Sequence, residues 1–165
     1  MPSDSIPLVR QIAQGDRDWV AETLVLEWTS TSVARLGELV EAAGLPGYLA
    51  TLGGRRVGLV LVDVKDRAYE VVAIGTTEPR RGIGRALMGR CAAEARARGC
   101  RRVWLVTTNN NLAAIGFYQR LGMDLCALHR HAVHVSRKLK PTIPVRDATG
   151  VRIDHELEFE LLLEA

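Results

Sequence analysis

VVAIGTTEPRRGIGRALM, residues 71–88, decides how this chain reads. An apolar, β-prone run passes into a loop with Arg80, Arg81, Gly82 and Gly84, and the loop opens directly into a helix. Two glycines let the backbone approach a ligand with no Cβ in the way. The following helix offers unpaired N–H groups and the positive end of its dipole. Such a turn suits a phosphate, and Arg80, Arg81 and Arg85 strengthen the local field for a polyanion.

Three common phosphate ligands use a loop of this kind. A P-loop needs Gly-Lys-Ser/Thr at the helix start, whereas Gly84 is followed by Arg85 and Ala86. A dinucleotide fold needs a third glycine and an acid about 20 residues on. Leu87 stands at the glycine position, and the next strand, RRVWLVTT, carries no acid. The pyrophosphate of coenzyme A remains. A turn that merely packs helix on strand has the same glycines, so the loop alone leaves both readings open.

A second constellation, NNNLAAIGFYQRLGM at residues 109–123, adds to the first. Asn111, Ala114 and Tyr118 follow i, i+3, i+7 spacing and share one helix stripe. Asn109 or Asn110 is expected to cap this helix, leaving Asn111 for a ligand, and Gly122 to end it. With both motifs in order, the chain resembles the GNAT superfamily of acyl-CoA-dependent N-acetyltransferases. The resemblance is firm over residues 56–128, and residues 69–75 with the tail resemble a bacterial subgroup. One departure stands out: Pro79 occupies the Gln/Arg position of the family's Gln/Arg-x-x-Gly-x-Gly loop. Proline has no N–H to donate, so the anion is expected on amides further along, from Arg81 through Gly82, Ile83, Gly84 and Arg85 to Ala86.

The resemblance implies an α+β GNAT fold: a mixed, mostly antiparallel sheet with flanking helices and splayed central strands. It implies acetyl-CoA as cosubstrate and direct acetyl transfer to a primary amine of a small molecule or peptide, without a covalent enzyme intermediate. Backbone N–H groups at Val72, Ala73 and Ile74 would bind the pantetheine arm and polarise the thioester. Tyr118 would serve as general acid at the cofactor sulfur, and Asn111 with Ala114 would face the pantetheine end. A GNAT-fold sensor that holds acyl-CoA without turnover is the alternative.

Glu70 is the expected general base. Residues 70, 72 and 74 of a regular strand share a face, and a half-buried carboxylate there would be a stronger base. Glu156, Glu158 and Glu160 alternate with Leu157, Phe159 and Leu161. They read as the wet face of an amphipathic strand, with attraction of a cationic acceptor as the other reading. His129, His131 and His134 lie among Arg130, Arg137, Lys138 and Lys140, which disfavour a metal; none is expected.

Composition is consistent with one domain spanning residues 1–165, with 130–165 as a C-terminal arm and last strand. At 165 residues, 47% hydrophobic and 25% charged, the chain reads as a single globular unit with a proper core. A formal charge of +3 does not call for nucleic acid. No apolar run is long enough to span a membrane. No leader is visible, and Cys91, Cys100 and Cys126 read as buried thiols, so a cytoplasmic location is expected. The tail is long enough to reach a second subunit of a homodimer.

Strands are expected over residues 7–13, 47–52, 56–63, 69–75, 102–107, 124–128 and 156–163. Helices are expected from Asp16 or Asp18 to Trp28, over residues 32–43 and 83–97, and from Asn111 to Tyr118.

Overall fold

The computed structural model describes residues 6–164. Strand β1 (Leu8–Gln11) leads through a short turn into helix α1 (Arg17–Trp28). Strands β2 (Ser32–Arg35) and β3 (Glu38–Glu41) form a separate hairpin. Then come β4 (Gly47–Leu52), β5 (Arg55–Lys65), β6 (Ala68–Thr76), α2 (Ile83–Ala97) and β7 (Arg102–Thr108). The chain continues with α3 (Leu112–Arg120), β8 (Asp124–His129), α4 (Ala132–Leu139) and β9 (Glu156–Leu162). The main sheet runs β1-β4-β5-β6-β7-β9-β8, antiparallel except between β6 and β7. This is the α+β architecture expected. No helix among the described residues is long and apolar enough to cross a membrane.

Period-two alternation along β5, stepped by one residue at a bulge beside Val57, builds a core on each face of the sheet. Val57, Val60 and Val62 meet α2 through Ile83, Leu87 and Cys91, with Leu105, Tyr118 and Phe159 in the same cluster. Leu59 and Leu61 face the other way, against Val20 and Leu24 of α1. Each such aliphatic side chain, fully buried, contributes about 1.5–3 kcal/mol.

Two segments differ from the sequence expectation. Residues 32–43, expected as a helix, form the β2–β3 hairpin, with Val33 opposite Val40 and Ala34 opposite Leu39. Leu36 and Gly37 both take left-handed backbone angles, φ 48° and 76°, the two-residue turn that matches strand twist. Tertiary packing of Val33 and Val40 on the α1-side core overrides a helix-compatible pattern. The expected arm after residue 130 contains α4, which buries Val133 and Ser136.

Two irregularities in β6 set the shape of the sheet at its centre. Its parallel pairing with β7 covers only Ala68 with Arg102, Tyr69 with Val103 and Glu70 with Trp104. Beyond Glu70 the two strands part. A bulge also interrupts its pairing with β5, where the register steps from Val62–Val71 to Leu61–Ala73. Val72 and Ala73 therefore both join the α1-side core, and Ile74 packs on the α2 side. The extra residue breaks strict alternation, so residues 70, 72 and 74 do not share a face as expected.

Candidate functional site

At the α2 entrance, Gly82 is the N-cap at φ 73°, with nothing within 4 Å of where a Cβ would stand. The first helical bond runs from the Ala86 amide to the Gly82 carbonyl at 3.0 Å. The amides of Ile83, Gly84 and Arg85 thus stand ahead of the ladder, available to an anion. Gly84 has a packing reason as well, because a Cβ there would lie 2.9 Å from Phe117 Cζ. Glu78 draws Arg55 at 2.7 Å and Arg81 at 3.5 Å, while Arg80 and Arg85 are exposed and have no ion-pair partner among the described residues.

Where β6 and β7 part, a chamber of about 320 Å³ opens on the α1 side. Val71 and Val72 form one wall, Val106 to Thr108 the opposite wall, and Trp28, Lys140 and Glu156 lie around it. The β2–β3 hairpin and the segment after α4 contribute Arg35, Thr142 and Ile143.

Glu70 lines this chamber, but both its oxygens are engaged by one guanidinium. Arg35 Nε donates to Oε1 at 2.6 Å and Nη2 to Oε2 at 2.7 Å. The hydrogen bond to Glu70 raises the pKa of Arg35 further, so the guanidinium keeps its charge. Both carboxylate oxygens are committed to guanidinium donors rather than presented to an amine. This geometry argues against the base role expected of Glu70 and makes it the anchor of the hairpin.

The three asparagines divide their work differently from the expectation. Asn109 Oδ1 accepts from the amides of Asp154 and His155, both at 2.9 Å, and holds the tail against β7. Asn110 Nδ2 donates to Asp147 at 3.3 Å. Asn111 is itself the N-cap of α3, its Oδ1 accepting from the Ala114 amide at 3.3 Å. It still lines the chamber, with its amide nitrogen turned to no described partner.

Tyr118 packs its ring between Phe117 and Phe159, with centroids 5.5 and 5.7 Å away. Burial pushes its phenol up to about 12. Its hydroxyl bonds to no described residue and is not sealed in.

The β9 glutamates are not the wet face expected of them. Glu158 and Glu160 both accept from Arg102 Nη1 at 2.8 Å, and Glu158 also meets His129 at 3.0 Å. Glu156 is 1% exposed and accepts from Ser136 Oγ at 2.6 Å and the Leu36 amide at 2.7 Å. Lys140, whose pKa burial lowers, donates to the carbonyls of Trp28 and Ser32 at 2.5 and 2.7 Å. Arg35, Ser136 and Lys140 were not singled out as a site, and Glu156 was considered only as one of three glutamates able to attract a cationic acceptor, since the hairpin and α4 that assemble them were not foreseen. Of the thiols, Cys91 and Cys100 are buried, but Cys126 is exposed, contrary to the expectation for all three.

Comparison with known proteins gives the family and the fold. Residues 16–123 match the Acetyltransferase (GNAT) family. The Bacillus subtilis (strain 168) protein YxbD is 30% identical over 145 residues, 87% of this chain and 91% of its own. The streptothricin acetyltransferase of Streptomyces lavendulae is 48% identical over 48 residues, 29% of this chain and 25% of its own. Among solved structures, a GNAT family acetyltransferase from Elizabethkingia anophelis with acetyl-CoA bound superposes with a TM-score of 0.69 at 15% identity. The match covers 95% of this chain and 98% of that one.

Proposed function

The chain belongs to the acetyltransferase (GNAT) family, and on that premise we propose that it transfers the acetyl group of acetyl-CoA directly to a primary amine of a small molecule or peptide. The observation that carries this reading is the parting of β6 from β7 beyond Glu70, beside a helix entrance with three free amides. The entrance takes the cofactor's pyrophosphate, with Arg80 and Arg85 as its cations. The pantetheine arm enters the gap and replaces the missing strand partner of β6. Amides at Val72, Ala73 and Ile74 then bond the arm and polarise the thioester carbonyl.

The amine reaches the carbonyl from the chamber side. Its nitrogen attacks the carbonyl carbon as the free base, the new C–N bond forms as the nitrogen gives up one proton to water, and the C–S bond breaks with departure of the thiolate. A phenol shifted to about 12 keeps its proton throughout neutral pH, which suits Tyr118 as donor to the sulfur as charge builds there. Asn111 offers its free amide N–H to the pantetheine end, and Ala114 gives that end room.

Calorimetry with acetyl-CoA followed by thiol release across a panel of amines tests the reading. Binding with amine-dependent release is expected. Absence of binding to folded protein overturns it, and binding without release from any amine leaves an acyl-CoA sensor in its place.

A further inference from the structure

Three carboxylates are buried among the described residues: Asp16, Glu70 and Glu156. Two of them face cations. Asp16 lies between Arg10 at 2.7 Å and Arg56 at 3.0 Å, and Glu70 lies on Arg35 at 2.6 Å. Glu156 has neutral donors only, the Ser136 hydroxyl and the Leu36 amide. Those two bonds leave about half of a carboxylate's roughly four acceptor positions open. A buried charge without a counter-charge is costly, and this one borders the chamber.

The cations nearby are committed elsewhere. Arg35 is taken by Glu70 and by Glu38 at 2.9 Å, and Lys140 by two carbonyls. Glu27, Glu70 and Glu156 against Arg35 and Lys140 leave the chamber wall with one excess negative charge.

Register locates Glu156 relative to the gap. Glu70, level with Trp104, is the last residue of β6 paired with β7, and Glu156 pairs with Thr108 one strand beyond the gap. Val72 and Glu156 both line the chamber, and two strand spacings alone put their backbones at least about 10 Å apart, a span that the parting of β6 from β7 lengthens. An extended glutamate side chain shortens that span to one that a flexible diamine or longer polyamine bridges.

We propose that Glu156 anchors a second cationic nitrogen of the acceptor, so that the acceptors of this protein are diamines and larger polycations. The proposal rests on the acetyltransferase reading above. The distal ammonium sits on Glu156 while the other nitrogen, as free base, meets the thioester at β6. A monoamine fills one of these positions only.

The test measures thiol release at saturating acetyl-CoA with diaminopentane, pentylamine and aminopentanol. In the wild-type protein, KM for diaminopentane is expected about tenfold or more below that for the other two. In Glu156→Gln, KM for diaminopentane is expected to rise toward that of pentylamine, with a much smaller change in kcat and with acetyl-CoA binding retained. Equal KM values for diamine and monoamine in the wild-type protein overturn the proposal, whether or not the variant folds. An equal loss of kcat with both amines in the variant also overturns it, since that is the signature of a proton acceptor. Failure of acetyl-CoA to bind removes both readings; turnover without preference removes only this one.

Discussion

Arg35 and Glu70 meet in a two-point ion pair, 2.6 and 2.7 Å, that fastens the β2–β3 hairpin to β6 at the last residue still level with β7. The pair therefore sets the wall of the chamber at the point where the sheet opens. Removing one partner strands the other charge in the interior, which typically costs about 3–5 kcal/mol. Arg35→Ala is expected to lower stability on that scale in chemical denaturation. It should also raise KM for the amine more than it weakens acetyl-CoA binding, because the α2 entrance is untouched.

Gly82 combines a left-handed backbone with open space around its missing Cβ. Gly82→Asp places a negative charge against the pyrophosphate site and strains the cap. Calorimetry is expected to show acetyl-CoA affinity reduced beyond detection, with the far-UV spectrum of a folded protein. Retained affinity would remove this entrance from the cofactor site.

Tyr118→Phe deletes one hydroxyl that bonds to no described residue, so little stability should be lost. If the phenol donates to the sulfur, kcat falls about a hundredfold while acetyl-CoA affinity stays close to the wild-type value. An unchanged kcat takes the tyrosine out of the reaction.

Asp16 ties β1, β5 and the start of α1 together. The hydrogen bond from Arg10, then the Ala13 amide and Arg56, hold its carboxyl well below the usual range against the opposing effect of burial. A depressed carboxyl contributes stability that is complete above its unfolded pKa, roughly 4, and is lost as pH falls toward its folded pKa. Thermal unfolding followed downward from about pH 5 should show the wild-type Tm falling more steeply than that of Asp16→Asn. Parallel curves would show that Asp16 is not the group responsible.

The sequence was most legible where local rules act alone. Ile83–Ala97 has a glycine turn before it and Gly99 after it, and its observed bounds are those expected from these signals. The parting of β6 and β7 was anticipated through the family resemblance. The bulge at Val72 was not, because one extra residue in an apolar run leaves no trace in composition. Residues 32–43 misled for a related reason: a two-residue turn at Leu36-Gly37 is short enough to hide inside a helix-like pattern. Ser136 and Glu156 are 20 residues apart and Leu36 and Glu156 are 120 apart. Nothing local announces a carboxylate whose partners come from an unforeseen hairpin and an unforeseen helix.

Strand β9 lies inside the sheet, paired with β7 on one side and β8 on the other. During synthesis, β8 emerges before β9 and has no neighbour in the sheet until residues 156–162 arrive. Completion of the acceptor wall is thus a late, long-range event, of the kind that slows folding and leaves apolar edges open to aggregation. Premature stops before β9 should yield chains that hold the β4–β6 meander and α2 yet precipitate, a liability for expression of shortened forms.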